Sequence, residues 1–280
     1  MAADVADYGH SAPALKRDPL LLPLARRSPL GSMTMLRWLA QRHPHLRDYP
    51  IAVKGSGIRL RADLRENVYA LLYRWGNYPH QAGLDAVLER FVKPGATVFD
   101  VGANIGYPAV ILSRLVGESG RVVAFEPAPG TFALLQRSLA ESANITLVDV
   151  ALAEHAGEAA FFIPVNIDMA GFRASAGSQE VRVRTETLDR MVAAYGMPDF
   201  LKVDVKGFEP AVFAGGQELL REARTTIAFE ALSAAERDRS MAVIRESSGG
   251  QYDFHRIARD GSLVSLSARG SRDYLAVPRR

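Results

Sequence analysis

The chain has 280 residues, of which 48% are hydrophobic and 23% charged, so it can bury one sizeable core. Its formal net charge of +3 is too small to indicate nucleic-acid binding, and without cysteine it forms neither disulfides nor thiolate metal sites. No apolar run approaches the roughly 18 residues that span a bilayer, and the first residues lack a secretory-signal pattern. These features predict a cytoplasmic protein with no membrane span and no nucleic-acid partner.

The first 95 residues are predicted to form an arm and a cap. Frequent proline and glycine in residues 1–31 indicate a loosely attached N-terminal arm; the alternative is that it packs on a second copy, giving a homo-oligomer. Residues 32–95 are predicted to form a cap that covers the following domain. Its expected elements are helices at 32–47, 66–75 and 83–91 and a hairpin around Lys54-Gly55-Ser56-Gly57.

A polar and aromatic stretch, Trp75-Gly76-Asn77-Tyr78-Pro79-His80-Gln81, separates two of these helices. Aromatic rings cover the apolar faces of sugars while amide and imidazole groups bind hydroxyls, so the stretch suits a sugar-like acceptor. The alternative interpretation is a surface turn. His80 is a candidate catalytic base because imidazole titrates near neutral pH.

From residue 96 onward, strands alternate with helices, which predicts a Rossmann-like, doubly wound, mostly parallel α/β sheet over 96–280. The chain should close with an antiparallel strand pair at the sheet edge. The flexible stretch 166–179, rich in small residues, is a candidate lid. The predicted strands are 97–101, 121–125, 145–149, 159–163, 180–184, 199–205, 225–230, 251–258, 262–266 and 274–277, and the predicted helices are 107–115, 130–141, 187–194, 209–222 and 234–246.

The first ligand-binding signal is a glycine turn that follows the first strand of this sheet. It consists of Asp100, Gly102, Ala103, Asn104 and Gly106 in the pattern D-x-G-x-N-x-G. The third glycine of the dinucleotide fingerprint is missing, and an acid ahead of the glycines repels phosphate but suits a cation. S-adenosylmethionine (SAM) carries an ammonium and a sulfonium but no phosphate, so the turn predicts SAM binding.

A second signal lies at the end of the next strand, where Glu126 and Pro127 follow Arg121-Val122-Val123-Ala124-Phe125. An acid in this position accepts hydrogen bonds from both ribose hydroxyls. Val150 and Ala151 end the third strand and should meet the adenine edge. Taken alone, each motif is also compatible with a packing turn or a solvated strand end.

The fourth central strand carries charged residues that its alternation places on one face, Lys202 and Asp204. A charged pair in an apolar strand is unfavourable unless it is paired or functional, so the alternatives are a salt bridge and contact with SAM or the acceptor. Asp204 is the leading candidate base and Lys206 a candidate for orienting the acceptor. Asp149, Asp204 and Glu230 offer oxygen ligands, but no spacing is diagnostic, so no metal site is predicted.

Four motifs resemble the FkbM-type SAM-dependent methyltransferases: DVGANIGY at 100–107, GRVVAFEP at 120–127, LKVDVKGFE at 201–209 and TIAFEAL at 226–232. The resemblance implies a class I methyltransferase fold and O-methylation of a hydroxyl on a sugar or secondary metabolite. It also implies cofactor contacts by Asp100, Gly102, Asn104, Gly106 and Glu126. Similar sequences read D-V-E-G where this chain has Lys206 in place of the acid, so that acid's role cannot be transferred. Rival hypotheses are an N- or C-methyltransferase on the same fold and a non-catalytic SAM-binding protein.

Overall fold

The computed structural model describes residue 22 and residues 32–163, 170–172, 177–268 and 271–279. The predicted arm over 1–31, apart from Leu22, lies outside the described residues, as does most of the predicted lid over 166–179. The side chain of His80 also lies outside them.

Within the described residues, the main sheet has eight strands: β3 (Thr97–Val101), β4 (Arg121–Phe125), β5 (Ile145–Val148), β9 (Phe200–Val203), β10 (Thr226–Glu230), β11 (Tyr252–Ile257), β12 (Leu263–Val264) and β13 (Asp273–Pro278). They lie side by side in the order β12-β11-β13-β10-β9-β3-β4-β5. Strands β10, β9, β3, β4 and β5 run parallel, while β13 and β11 continue the sheet antiparallel at one edge. This confirms the predicted Rossmann-like sheet with a closing antiparallel pair.

Apolar residues on both faces of the central strands explain why helices cover the sheet on both sides. Within β3, Val98 belongs to one hydrophobic cluster and Phe99 to the other, as alternation along a strand requires. The covering helices are α4 (Tyr107–Val116), α5 (Pro129–Leu139), α6 (Leu188–Tyr195), α7 (Glu209–Ala214), α8 (Gln217–Glu222) and α9 (Ala234–Ser247).

The predicted helix over 209–222 is wrong in one respect, because the structure has two short helices, α7 and α8, separated by Gly215 and Gly216. Both glycines lie against neighbouring chain. A Cβ at Gly215 would lie 2.2 Å from the carbonyl oxygen of Ala153, and one at Gly216 would lie 2.6 Å from Leu188 Cδ2. The helix is therefore interrupted where the backbone must pass closest to other segments.

A second, three-stranded sheet contains β6 (Ala151–Leu152), β7 (Gly157–Ile163) and β8 (Gln179–Glu186) in the order β6-β8-β7. The sequence predicts strands 159–163 and 180–184 within the parallel sheet and Val150 and Ala151 at the end of its third strand. Both assignments are wrong, because β5 ends at Val148 and Ala151 begins a strand of the second sheet. β7 and β8 pair antiparallel with each other. The sequence predicts no helix between them, and consecutive strands that lack a crossover helix commonly pair antiparallel.

The cap packs on the sheet domain through a shared hydrophobic cluster that includes Leu36, Leu60 and Leu88 together with Leu112 and Leu135. Its elements are α1 (Ser32–Arg42), a 3-10 helix (Pro44–Asp48), β1 (Tyr49–Ala52), β2 (Arg59–Ala62), α2 (Asn67–Trp75), a 3-10 turn (Pro79–Gln81) and α3 (Ala82–Phe91). The domain division near residue 95 remains a prediction. Within the described ranges, no helix combines the length and apolar character needed to cross a membrane.

Candidate active site

A cavity lies beyond the carboxyl ends of β3, β4 and β9, the edge at which open α/β sheets bind ligands. Most of the residues that the sequence predicts for the site line this cavity. They are Gly102, Ala103, Asn104, Glu126, Pro127, Val150, Ala151, Asp204 and Lys206. Asp100 and Gly106 are not among the lining residues. The structure therefore brings the glycine turn, the acid after β4 and the charged residues at the end of β9 to one edge of the sheet.

The glycine turn passes directly beside the turn that follows β9. Gly102 has a φ of 78°, and a Cβ there would lie 2.1 Å from the carbonyl oxygen of Asp204. Asn104 also has a positive φ, 53°, and its Oδ1 accepts hydrogen bonds from Tyr69 Oη at 2.5 Å and from the Ile105 N–H at 2.7 Å. These contacts hold the turn in a conformation that few side chains tolerate.

Gly106 faces helix α5 rather than the cavity, although the sequence predicts it as a cofactor contact. It has a φ of 97°, and a Cβ there would lie 2.7 Å from Leu135 Cδ1 and 2.8 Å from Leu139 Cδ1. This glycine therefore permits the start of α4 to pack closely against α5. Its effect on the cavity is indirect.

Glu126 is held rigidly at the end of β4. Its Oε2 accepts the N–H of Asn104 at 2.9 Å, and its Oε1 accepts the N–H of Ala128 at 2.9 Å. Burial raises the pKa of Glu126 to about 7, although both N–H donors favour the charged form. The carboxylate is thus oriented by backbone groups and borders the cavity.

The charged residues predicted on the fourth strand belong to an alternating row, Asp100–Lys202–Asp204–Lys206–Glu230. Lys202 Nζ lies 2.9 Å from Asp100 Oδ1 and 4.0 Å from Asp204 Oδ2. Lys206 Nζ lies 2.8 Å from Asp204 Oδ1 and 2.7 Å from Glu230 Oε2. Lys202 therefore pairs closely with Asp100, which is directly opposite it on β3, and Lys206 bridges two carboxylates.

The row gives its carboxylates different proton affinities. Burial alone would raise the pKa of Asp204, but Lys206 and Lys202 hold that pKa well below its usual range. Burial raises the pKa of Glu230 to about 8, and the charge of Asp204 acts in the same direction. Asp204 is consequently a stable anion and a weak proton acceptor, whereas Glu230 binds a proton more readily.

Sequence reasoning places Glu209 among the acids near the edge that carries Asp204, with a charge at a helix N-terminus as the alternative, and it missed the part that this residue plays in the turn after β9. The side chain is fully buried. Its Oε1 accepts the N–H of Val205 at 3.0 Å and its Oε2 accepts the N–H of Gly207 at 3.0 Å. These bonds enclose Lys206, whose φ of 53° is unusual for a side-chain-bearing residue. Glu209 therefore fixes the turn that carries Asp204 and Lys206.

The cap supplies another wall of the cavity. From the predicted acceptor stretch, Tyr78 and Gln81 line it, whereas Trp75 is exposed. Tyr78 packs edge-on against Tyr107, with ring centroids 4.6 Å apart, and Tyr107 Oη donates to Asp85 Oδ2 at 3.0 Å. Burial raises the pKa of Asp85 to about 6. Sequence analysis included Tyr107 only as the last residue of the DVGANIGY motif and gave it no role, and it did not single out Asp85, which lies in no recognisable motif.

The described part of the predicted lid also borders the cavity, through Ala170 and Phe172. Phe172 stacks on Phe208, with ring centroids 4.2 Å apart, and meets Phe161 of β7 edge-on at 5.3 Å. The second sheet and this segment thus form an aromatic wall next to the turn that carries Lys206.

The doubly wound sheet, the glycine turn and the acid that ends the second parallel strand define a Rossmann-like fold of the class I methyltransferase type. The profile of the Methyltransferase FkbM domain matches residues 100–259, more than half of the chain. The chain belongs to this family, which confirms the resemblance seen in the motifs.

Two curated relatives align with parts of the chain. The 31-O-demethyl-FK506 methyltransferase FkbM of Streptomyces tacrolimicus is 34% identical over 119 residues, which cover 39% of this chain and 45% of the relative. Protein-L-isoaspartate O-methyltransferase 1 of Arabidopsis thaliana is 34% identical over 73 residues, covering 26% of this chain and 32% of the relative. The chain therefore spans less than half the length of either relative.

Solved structures with a similar arrangement include methyltransferase FkbM from Methylobacillus flagellatus KT. It has a TM-score of 0.48 and 14% identity over 90% of this chain and 62% of that one. Fibrillarin from Aeropyrum pernix, solved with bound SAM, has a TM-score of 0.43 and 14% identity over 70% of this chain and 75% of that one.

Proposed function

We propose that this chain is a SAM-dependent methyltransferase that transfers a methyl group to a hydroxyl oxygen of a small acceptor, a sugar or a secondary metabolite. The observation that carries the proposal is the cavity edge where the Gly102 turn, the Glu126 carboxylate and the Asp204 carboxylate meet. Membership of the FkbM family supports the same reaction class. The acceptor class is inferred from the family resemblance and from the aromatic and amide groups of the cap wall.

The residues present fit SAM. Glu126 is buried and oriented, and each of its oxygens accepts one backbone N–H, so each keeps a lone pair for a ribose hydroxyl. Both ammonium groups at the cavity wall, Lys202 and Lys206, are paired with carboxylates. They therefore oppose a cationic ligand less than unpaired ammonium groups would.

When bound, SAM supplies a methyl group on a positively charged sulfur, and that charge is lost as the methyl group leaves. Asp204, ionised and held between two ammonium groups, offers a fixed negative charge to a cation in the cavity. The acceptor hydroxyl must lose its proton during transfer. Because that oxygen becomes strongly acidic as its bond to carbon forms, even the weakly basic carboxylate of Asp204 can accept the proton. His80 remains the second candidate base by prediction.

One observation favours a non-catalytic SAM-binding protein as the second candidate. Lys206 contacts both Asp204 and Glu230 where similar sequences carry an acid, so it lowers the basicity of Asp204, the leading candidate base. Such a protein would bind SAM but methylate nothing. An N- or C-methyltransferase stays a rival hypothesis, since the fold does not determine the acceptor atom.

The test has two stages. Calorimetry with SAM, S-adenosylhomocysteine and NAD should show binding of the first two at micromolar strength, on the order of −8 kcal/mol. A radiolabelled methyl assay across sugars, glycosides and hydroxylated metabolites should then show transfer to oxygen. NAD binding without SAM binding would refute the cofactor assignment. SAM binding without transfer to any acceptor would favour the binding protein.

The partner, the oligomeric state and the location of the chain remain predictions. A small hydroxylated molecule is the proposed partner, with a homo-oligomer formed through the N-terminal arm as a second proposal. We also retain a cytoplasmic location as a prediction. Size-exclusion chromatography with light scattering, comparing the full chain with one that begins at residue 32, would test the role of the arm in assembly.

A further inference from the structure

Both tryptophans of the chain lie on the surface of the cap. The sequence contains two tryptophans, and the structure leaves Trp38 45% exposed and Trp75 52% exposed. Each ring has an arginine beside it: the guanidinium of Arg42 lies 4.0 Å from the Trp38 ring centroid, and that of Arg74 lies 4.8 Å from the Trp75 centroid. Tryptophan is usually buried, at an interface or at a membrane surface, so its exposure on helix α1 calls for a partner.

The segment of the sequence around Trp38 carries charge of one sign. Between Asp18 and Asp48 the sequence has five arginines and no acid, although the whole chain carries a net charge of only +3. Three of these arginines lie in the described residues, Arg37, Arg42 and Arg47, and all three are exposed. Among the salt bridges of the described residues, none involves these three side chains. The rest of the chain carries a small net negative charge, so positive charge is concentrated in this segment.

Helix α1 presents these groups on its outward side. Its inward side is occupied by Leu36, Leu39 and Ala40, which are buried in the cluster shared with the sheet domain. We define the α1 face as the exposed residues Arg37, Trp38, Gln41 and Arg42. Because the apolar side of the helix is already used in the core, α1 can lie against a surface but cannot insert deeply.

We propose that the α1 face binds an anionic lipid surface, with Trp38 at the depth of the headgroups and the arginines on the lipid phosphates. Basic helices with exposed tryptophan are typical of peripheral membrane contacts, because indole prefers the interface between water and hydrocarbon. A nucleic acid would also attract the arginines. It does not explain why an indole is exposed among the polar residues of the α1 face. The contact is peripheral, reversible and salt-dependent.

The experiment uses the full chain with Trp75→Phe, which leaves Trp38 as the only tryptophan. Co-sedimentation with vesicles of phosphatidylcholine, with and without phosphatidylglycerol, should show binding only to the anionic vesicles and mainly at low ionic strength. Trp38 emission should shift to shorter wavelength on binding and be quenched by lipids brominated near the headgroup. Each arginine at the surface contributes about fivefold in affinity, so Arg37→Glu with Arg42→Glu should weaken binding about 25-fold or more.

The matched control is Arg221→Glu with Arg239→Glu, which changes the net charge equally at exposed positions of α8 and α9. The control should retain binding within about twofold of the parent chain, given the short screening length of surface charge. Equal losses in both double variants would overturn the proposal, because binding would then follow net charge alone. The proposal would also be overturned if the chain did not bind anionic vesicles at low salt, or if the Trp38 emission wavelength did not shift on binding. Tighter binding to a short DNA duplex than to these vesicles would assign the face to nucleic acid instead.

Discussion

Removing the charge of Lys206 should destabilise the protein in a pH-dependent manner. Its ammonium lies 2.8 Å from Asp204 Oδ1 and 2.7 Å from Glu230 Oε2, and all three side chains are at most one-quarter exposed. Lys206→Met leaves two neighbouring carboxylates without the cation they share. Removing one partner of a buried ion pair costs about 3–5 kcal/mol, and the partial exposure here reduces our expectation to about 2–3 kcal/mol near neutral pH.

The sign of the pH dependence follows from proton binding. In Lys206→Met, the folded-state pKa values of Asp204 and Glu230 rise above their unfolded values, so the folded state binds more protons. The loss of stability is therefore complete above the raised folded-state pKa values and diminishes as pH falls towards the unfolded ones. Burial already raises the pKa of Glu230 to about 8 in the parent chain. The pH range over which the loss of stability changes therefore extends from about pH 4 to beyond pH 8.

Urea denaturation at about pH 5 and about pH 8 measures this difference, and the loss should be larger at the higher pH. The matched control is Arg184→Met, which breaks an ion pair of 2.6 Å with Asp149 in which both side chains are more than half exposed. Exposed pairs contribute only about 0–1 kcal/mol. A Lys206→Met loss that equals the control, or that is the same at both pH values, would refute the ion-row argument.

Four further predictions concern the site. Glu126→Gln should weaken SAM binding about tenfold or more in calorimetry, because an oriented charged acceptor is replaced by a neutral amide. Gly102→Ala should lower the urea unfolding free energy by about 2–4 kcal/mol through its collision with Asp204, whereas Gly57→Ala, which has the same sign of φ but open space, should lose only about 1–2 kcal/mol. Asp204→Asn should reduce turnover by roughly 10²–10⁴-fold in the methyl assay while SAM still binds; full turnover would move the base to another residue. Glu209→Gln should reduce kcat and the melting temperature together, since an amide nitrogen cannot accept the N–H groups that Glu209 now binds.

Much of the main sheet was predictable because its buried strands are short apolar runs followed by helical periodicity. The Gly102 turn and Glu126 were predictable for the same reason, since motif spacing along the chain determines where the ends of adjacent parallel strands lie. Pairing between distant segments was harder to predict. The sequence does not show that β7 would pair with β8 outside the main sheet, or that Gly106 would face α5.

The ion row illustrates this limit most clearly. Alternation in the sequence predicted Lys202 and Asp204 on one face, with a salt bridge and contact with SAM or the acceptor as alternatives, but it did not identify Asp100 as a partner. The parallel register of β3 and β9 places Asp100 opposite Lys202, and its carboxylate lies 2.9 Å from the Lys202 ammonium. Side-chain partners depend on strand order, which in turn depends on the packing of the whole domain.

The register of β3 and β9 also affects the charge that an acceptor would meet near Lys206. Because Lys202 is engaged by Asp100, the charge of Asp204 is balanced mainly by Lys206, which also balances Glu230. An acid at position 206, as in the D-V-E-G pattern of similar sequences, would change the local charge by two units and place three carboxylates together. The present chain therefore offers its acceptor a less negative surface than that pattern would. An enzyme with this arrangement should tolerate an acceptor bearing an acidic group near the reacting hydroxyl, and Lys206→Glu should raise the KM for such an acceptor while SAM affinity changes less.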